Sequence, residues 1–165
     1  MARTLQEDIR TFARLDFDPP HRQPSAGLVV VASIVALVGS LVADALLVVI
    51  GTKVFPSTKG YVHFQFPDYA KLTVIGVVGA CVAWPVVTRV SSAPRWLYLR
   101  LAVLVTLVLF LPDVWILIHG APAEAVLVLV LMHVAIAVVT YNAMVRIAPV
   151  SRVRRSGPVD VGAED

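Results

Sequence analysis

At 165 residues, 58% hydrophobic, 15% charged and 8% aromatic, the chain departs from a soluble domain, which averages about 45–50% apolar and about 25% charged. Its mean hydropathy is +0.82 and its net charge only +3, which exclude a largely disordered chain, while a lone cysteine, Cys81, excludes an intrachain disulfide framework. The basic pI of 9.4 does not point to nucleic acid, because the charges lie in short blocks between long uncharged runs, the pattern of a membrane protein.

The N-terminal arm, residues 1–26, opens on Thr4 and Glu7, a capping-box pair. Leu5, Ile9 and Phe12 recur at helical spacing among Arg3, Arg10 and Arg14. The pattern fits a short amphipathic helix lying on the inner leaflet, or equally a partly ordered tail. Pro19 and Pro20 end it before the first long apolar run.

Crossing the hydrocarbon takes about 20 apolar helical residues. Four runs qualify: 28–50, 72–90, 96–118 and 123–147. They are rich in valine, a moderate helix former in water, but in lipid the backbone must satisfy its own hydrogen bonds and becomes helical. The expected fold is all-α: an integral membrane four-helix bundle of antiparallel, up-down topology over 27–148, followed by a flexible cytoplasmic tail, 149–165. Ala43-Asp44-Ala45 loosely resembles a signal-peptide cleavage site, but the apolar run continues past it to Ile50, which favours an uncleaved first span.

The arginines fall in three groups: Arg3, Arg10, Arg14 and Arg22; Arg89, Arg95 and Arg100; Arg146, Arg152, Arg154 and Arg155. Four crossings put all of them on one side and Lys53, Lys59 and Lys71 on the other. The excess of basic residues in short loops marks the cytoplasmic face, so both termini are expected inside the inner membrane.

The outer segment 51–71 carries Phe55, Tyr61, Phe64, Phe66 and Tyr69. Val62, Phe64 and Phe66 alternate with Tyr61, His63 and Gln65, which predicts an extended stretch. Tyr61, Phe64 and Phe66 belong either to an aromatic belt at the membrane surface or to a docking surface for an extracytoplasmic partner. Small residues line one face of span two (Gly76, Gly79, Ala80, Ala83) and one of span one (Ala32, Ala36, Gly39, Ser40, Ala43), predicting close helix packing there. Pro85 and Pro112 fall within spans two and three and Pro122 fits the first position of span four.

Ionisable side chains at membrane depth are the strongest functional lead. Asp44 and Asp113 lie roughly 7–9 Å below the outer boundary at about 1.5 Å per residue, and His133 stands ten residues into span four. Together they outline a polar pocket, proton-responsive or cation-binding, or else polar glue between helices. Lys71, His133, Ser40 and Tyr141 are candidate partners for the aspartates. Glu124 and Asp68 sit where helix dipoles favour anions; Asn142 reads as structural, and His63 and His119 as solvated. No metal site is expected, since no ligands pair at i, i+3 or i+4, and no cofactor or enzymatic motif stands out: H-E-x-x-H, G-x-S-x-G and Walker-type loops are absent.

Residues 55–101, FPSTKGYVHFQFPDYAKLTVIGVVGACVAWPVVTRVSSAPRWLYLRL, and LMHVAIAVVTYNAMV at 131–145 resemble small four-helix inner-membrane proteins of mycobacteria and related actinobacteria. The resemblance covers most of the chain apart from its last dozen residues, carries no catalytic motif and transfers no functional residue.

Two functions are expected from this reading. The first is a non-enzymatic accessory or scaffold subunit of a cell-envelope or respiratory assembly, contacting lipid and a membrane-protein partner or a second copy. The alternative is a small proton-coupled transporter using the intramembrane aspartates. The topology has a direct check. A compartment-sensitive reporter fused after Lys59 reads the outer side and one at the C-terminus reads the cytosol; both reading the same side contradicts four crossings.

Overall fold

The computed structural model describes residues 15–16, 19 and 21–152. The expected amphipathic helix near the N-terminus, and the tail beyond Arg152, lie outside these residues. A two-residue strand, β1 (His21–Arg22), leads into four helices: α1 (Ala26–Val54), α2 (Phe66–Val90), α3 (Pro94–Ile118) and α4 (Ala123–Ile147), and β2 (Ser151–Arg152) follows. Among the described residues, all four helices are long and apolar enough to cross a membrane.

The helices begin and end where the backbone chemistry requires. Ser25 caps α1 by accepting a bond from the Leu28 amide at 3.3 Å, which satisfies one of the free donors of the first turn. Pro67 and Pro94 stand in the first turns of α2 and α3, where a missing N–H is harmless. Pro122 is one residue earlier than expected, as the N-cap of α4. Gly120, at φ +95°, closes α3; the Ala121 amide bonds back to the Ile116 carbonyl at 3.0 Å, as in a Schellman turn.

Segment 55–65 departs from the extended form expected of it. It folds into two short 3-10 turns, Pro56–Thr58 and Val62–Phe64, and Phe66 already belongs to α2. With no strand to pair with, the backbone closes its hydrogen bonds locally: the Thr58 amide and hydroxyl both donate to the Phe55 carbonyl, and the Phe64 amide donates to Tyr61. Alternation of aromatic and polar residues cannot make a strand without a partner edge.

Ser40 of α1 meets Thr140 of α4, and Gly51 meets Val128. The interior has two apolar clusters. One gathers Ala32, Ala36, Val77, Trp84, Tyr98 and Met144. The other gathers Phe64, Tyr69, Ala125, Val128 and Met132. Between them in sequence on α1, α2 and α4 stand buried or half-buried polar side chains, Ser40 and Asp44, Thr73, and His133 and Thr140, and α3 adds the buried Asp113.

The end nearer the first cluster is tied by a clasp that sequence patterning did not suggest. β1 pairs antiparallel with β2, joining the start of α1 to the end of α4. The Trp84 indole donates to the Ala148 carbonyl at 2.9 Å. The Thr88 hydroxyl donates to Gln23 Oε1 at 2.6 Å, and Gln23 Nε2 donates to the Thr88 carbonyl at 2.9 Å. The first residues of the expected tail are therefore part of the fold.

The small-residue face of α2 does not pack as expected. Gly76 and Gly79 are exposed and a Cβ at either would meet nothing within 4 Å. The face that packs is instead Tyr69, Thr73, Val77, Cys81, Trp84 and Thr88. On α1 the expectation holds for Ala32, Ala36 and Ser40, which are fully buried, and close approach occurs at Gly51, where a Cβ would lie 2.7 Å from a Val128 methyl. Gly51→Ala is therefore expected to destabilise the folded protein by about 1–3 kcal/mol through overpacking. Gly76→Ala and Gly79→Ala should be neutral or stabilise by up to about 1 kcal/mol, the helix propensity of alanine over glycine. Thermal unfolding in mild detergent checks the order; a reversal would show that the α2 glycines, and not Gly51, are in contact.

Candidate functional site

The polar layer draws one residue from each helix. Asp44 is fully buried on the packed stripe Ala32, Ala36, Ser40, Asp44 of α1, whose spacing of four keeps it on one face. Its Oδ2 accepts a hydrogen bond from Thr73 Oγ1 at 2.6 Å. Thr73 occupies the matching stripe of α2, one turn after Tyr69, and its Oγ1 also lies 2.9 Å from the Tyr69 carbonyl. A hydroxyl carries one hydrogen, so Thr73 serves one of the two acceptors at a time.

Asp113, on α3, and His133, on α4, form the second pair, with Asp113 Oδ2 3.1 Å from His133 Nδ1. The same nitrogen lies 3.0 Å from the Leu129 carbonyl, which takes the aligned hydrogen bond. Asp113 Oδ2 is thus close to the imidazole in charge terms without a well-directed bond. The Phe110 ring packs edge-on to the imidazole. The Asp44–Thr73 pair joins α1 to α2, and the Asp113–His133 pair joins α3 to α4.

Among the described residues, Asp44 Oδ1 and Asp113 Oδ2 are buried without a hydrogen-bond partner. Leaving such oxygens unsatisfied costs about 1–3 kcal/mol each, more when charged. Natural interiors rarely keep such atoms without a reason.

Of the other residues singled out in the sequence, Lys71 is exposed and Ser40 pairs with Thr140 at 3.5 Å. The Tyr141 hydroxyl donates to the Arg95 carbonyl at 3.4 Å, near the clasp. His63 is not merely solvated: Nδ1 lies 3.2 Å from Asp68 Oδ2 in a half-exposed ion pair. Tyr61, half-buried, packs edge-on to both His63 and Phe64. Burial, and secondly the Asp113 carboxylate, push its phenol above the ordinary tyrosine value. Phe64 is buried in the second apolar cluster, whereas Phe66 is 61% exposed, so the three aromatics do not share one surface. Sequence reasoning missed Thr73, although its spacing of four from Tyr69 and Val77 marks it as facing inward.

Residues 20–149 match a family of unknown function, DUF6069. The chain belongs to that family. No curated protein and no solved structure matches the DUF6069 chain. Its site is therefore read from its own geometry.

The Asp113–His133 pair gives the DUF6069 chain a measurable signature. Asp113→Leu leaves the His133 ring buried beside an apolar side chain and is expected to destabilise by about 3–5 kcal/mol if the imidazole is charged, the usual effect of removing one partner of a buried pair. Asp113→Leu combined with His133→Phe should recover most of that loss. Unfolding midpoints of the two single variants and the double variant test this; strictly additive losses would show that the two side chains do not interact.

Proposed function

We propose that this DUF6069 chain is an up-and-down, non-enzymatic inner-membrane protein with its arginine-rich end in the cytoplasm, and that Asp44, Asp113 and His133 form a proton-exchanging site within the bundle. The observation that carries the reading is the position of Thr73 between Asp44 and the Tyr69 carbonyl. When Asp44 is ionised, the Thr73 hydroxyl donates to it. When Asp44 is protonated, its O–H can donate to Thr73 Oγ1, and the hydroxyl turns to the Tyr69 carbonyl. Both protonation states are accommodated by rotating one hydroxyl, with no movement of a helix.

Charge balance supports the same reading. The layer holds two buried carboxyls and one half-buried imidazole, so neutrality takes two protons, either on both carboxyls or on one carboxyl and the imidazole, and at least one carboxyl is protonated in each case. Charge in lipid is costly, and intramembrane ionisable residues commonly mark proton relays and pumps. Reversible protonation within the membrane is the function this arrangement fits best.

A second reading, the accessory or scaffold subunit, is favoured by the outer surface. Of α3, only Pro94, Tyr98 and Asp113 are buried, and Gly76 and Gly79 leave open space on α2. Lipid, a partner's helix or a second copy would each cover these faces; recovery of specific partners from mild detergent at native expression levels would favour this second reading.

The proton reading is tested by infrared difference spectroscopy of the full chain in lipid nanodiscs. A protonated-carboxyl C=O band that rises as pH falls, and that loses separate components in Asp44→Asn and Asp113→Asn, is expected. A wild-type spectrum without a titrating buried-carboxyl band would contradict it.

A further inference from the structure

We infer that the Asp44–Asp113–His133 site exchanges its proton with one side of the membrane only, the side of the 55–65 segment, so that the protein responds to acidity in that compartment rather than conducting protons between the two. This inference rests on the proton-exchanging reading above.

The first support is depth. At about 1.5 Å per residue, Asp44, Thr73, Asp113 and His133 lie roughly 8–15 Å from the helix ends beside the 55–65 segment, and roughly 21–29 Å from the clasp end. The second is what fills the longer path. Towards the clasp stand Ala32, Ala36, Val77, Trp84 and Met144, each no more than 1% exposed. Two polar side chains in this stretch are already committed. The Trp84 N–H, which can only donate, is held by the Ala148 carbonyl, and the Tyr98 hydroxyl is held by the Ala80 carbonyl at 3.1 Å. Ser40 and Thr140 pair with each other just below Asp44, and beyond them on that stripe come Ala36 and Ala32. At the helix ends the β1–β2 ribbon and the Gln23–Thr88 bonds close the bundle. A proton needs a continuous chain of groups that can both accept and donate, and in this longer half the few hydroxyls, Ser40, Thr140 and Tyr98, stand beside a packed apolar cluster.

The shorter path also crosses buried apolar side chains, Phe64, Val128 and Met132, but it carries titratable groups as well. The groups facing the site are Asp44 from α1, Tyr69 from α2, Asp113 from α3, His133 from α4 and Tyr61 from the turn above. Tyr61 and Tyr69 pack in the second cluster with Met132, the residue that precedes His133 in α4. Tyr61 packs against His63, which pairs with Asp68, and both members of that pair are 42% exposed. Groups able to accept and release a proton therefore lie on this side of the site.

The test uses the full chain reconstituted in one orientation in sealed proteoliposomes, with pH stepped on one side while a trapped dye confirms that the other side is unchanged. The buried-carboxyl infrared band is expected to follow the step completely when it is applied on the Tyr61 side, and to stay constant when the step is applied on the Trp84 side. A band that follows the Trp84-side step, alone or as well, overturns one-sided access while leaving the proton site in place. A band that ignores both steps removes the proton site, and one-sided access with it.

Discussion

A hydrogen bond between a carboxyl and a hydroxyl, inside a bundle whose outer surface is almost wholly hydrocarbon, is the constraint on which the arrangement of this protein depends. Asp44 is fully buried, and Thr73 from the neighbouring helix is 2.6 Å away. In a bilayer there is no water at that depth to replace the bond, so rotating either helix about its axis would leave a polar group facing lipid. The rotation of α1 and α2 is set by this requirement more than by their apolar residues, which are as comfortable against lipid as against each other. Asp113 and His133 impose the same condition on α3 and α4.

The position of the polar layer also explains why the core falls into two clusters. On one side Trp84, Tyr98 and Met144 pack tightly and the clasp ties down the chain on both flanks of the bundle. On the other, Phe64 and Tyr69 fold over Val128 and Met132, held by two short turns. The two halves have different chemistry: the first fixes helix ends through backbone carbonyls, and the second presents tyrosine and histidine side chains above the carboxyls. A polar layer set asymmetrically between these halves gives the bundle a direction that its helical framework alone would lack.

Much of this was legible in the sequence and some was not, for identifiable reasons. The four long helices follow from hydropathy, and α4 spans the residues expected of it, 123–147, because Pro122 and Pro149 bound it sharply. Asp44, Asp113 and His133 stood out because a charge in an apolar run is conspicuous. Thr73 did not, because a threonine barely disturbs hydropathy, yet it is the partner Asp44 has. The glycine face of α2 misled because small residues allow close packing without requiring it; the helix turned Tyr69, Thr73 and Trp84 inward instead. The 55–65 segment misled because alternation describes a strand only where another strand lies beside it. The clasp left no pattern at all, since two-residue strands and side-chain bonds to Thr88 and Ala148 have no periodicity to read.

The central claim is that Asp44 and Thr73 are coupled within the bundle, and a double-mutant cycle measures that coupling directly. Unfolding free energies of the wild type, Asp44→Asn, Thr73→Val and the double variant, in one detergent at one pH, are sufficient. A coupling of about 1.5–3 kcal/mol is predicted, the range for a hydrogen bond to a charged group. A coupling indistinguishable from zero would mean that the two side chains do not meet, and would contradict the arrangement of helices on which the site depends.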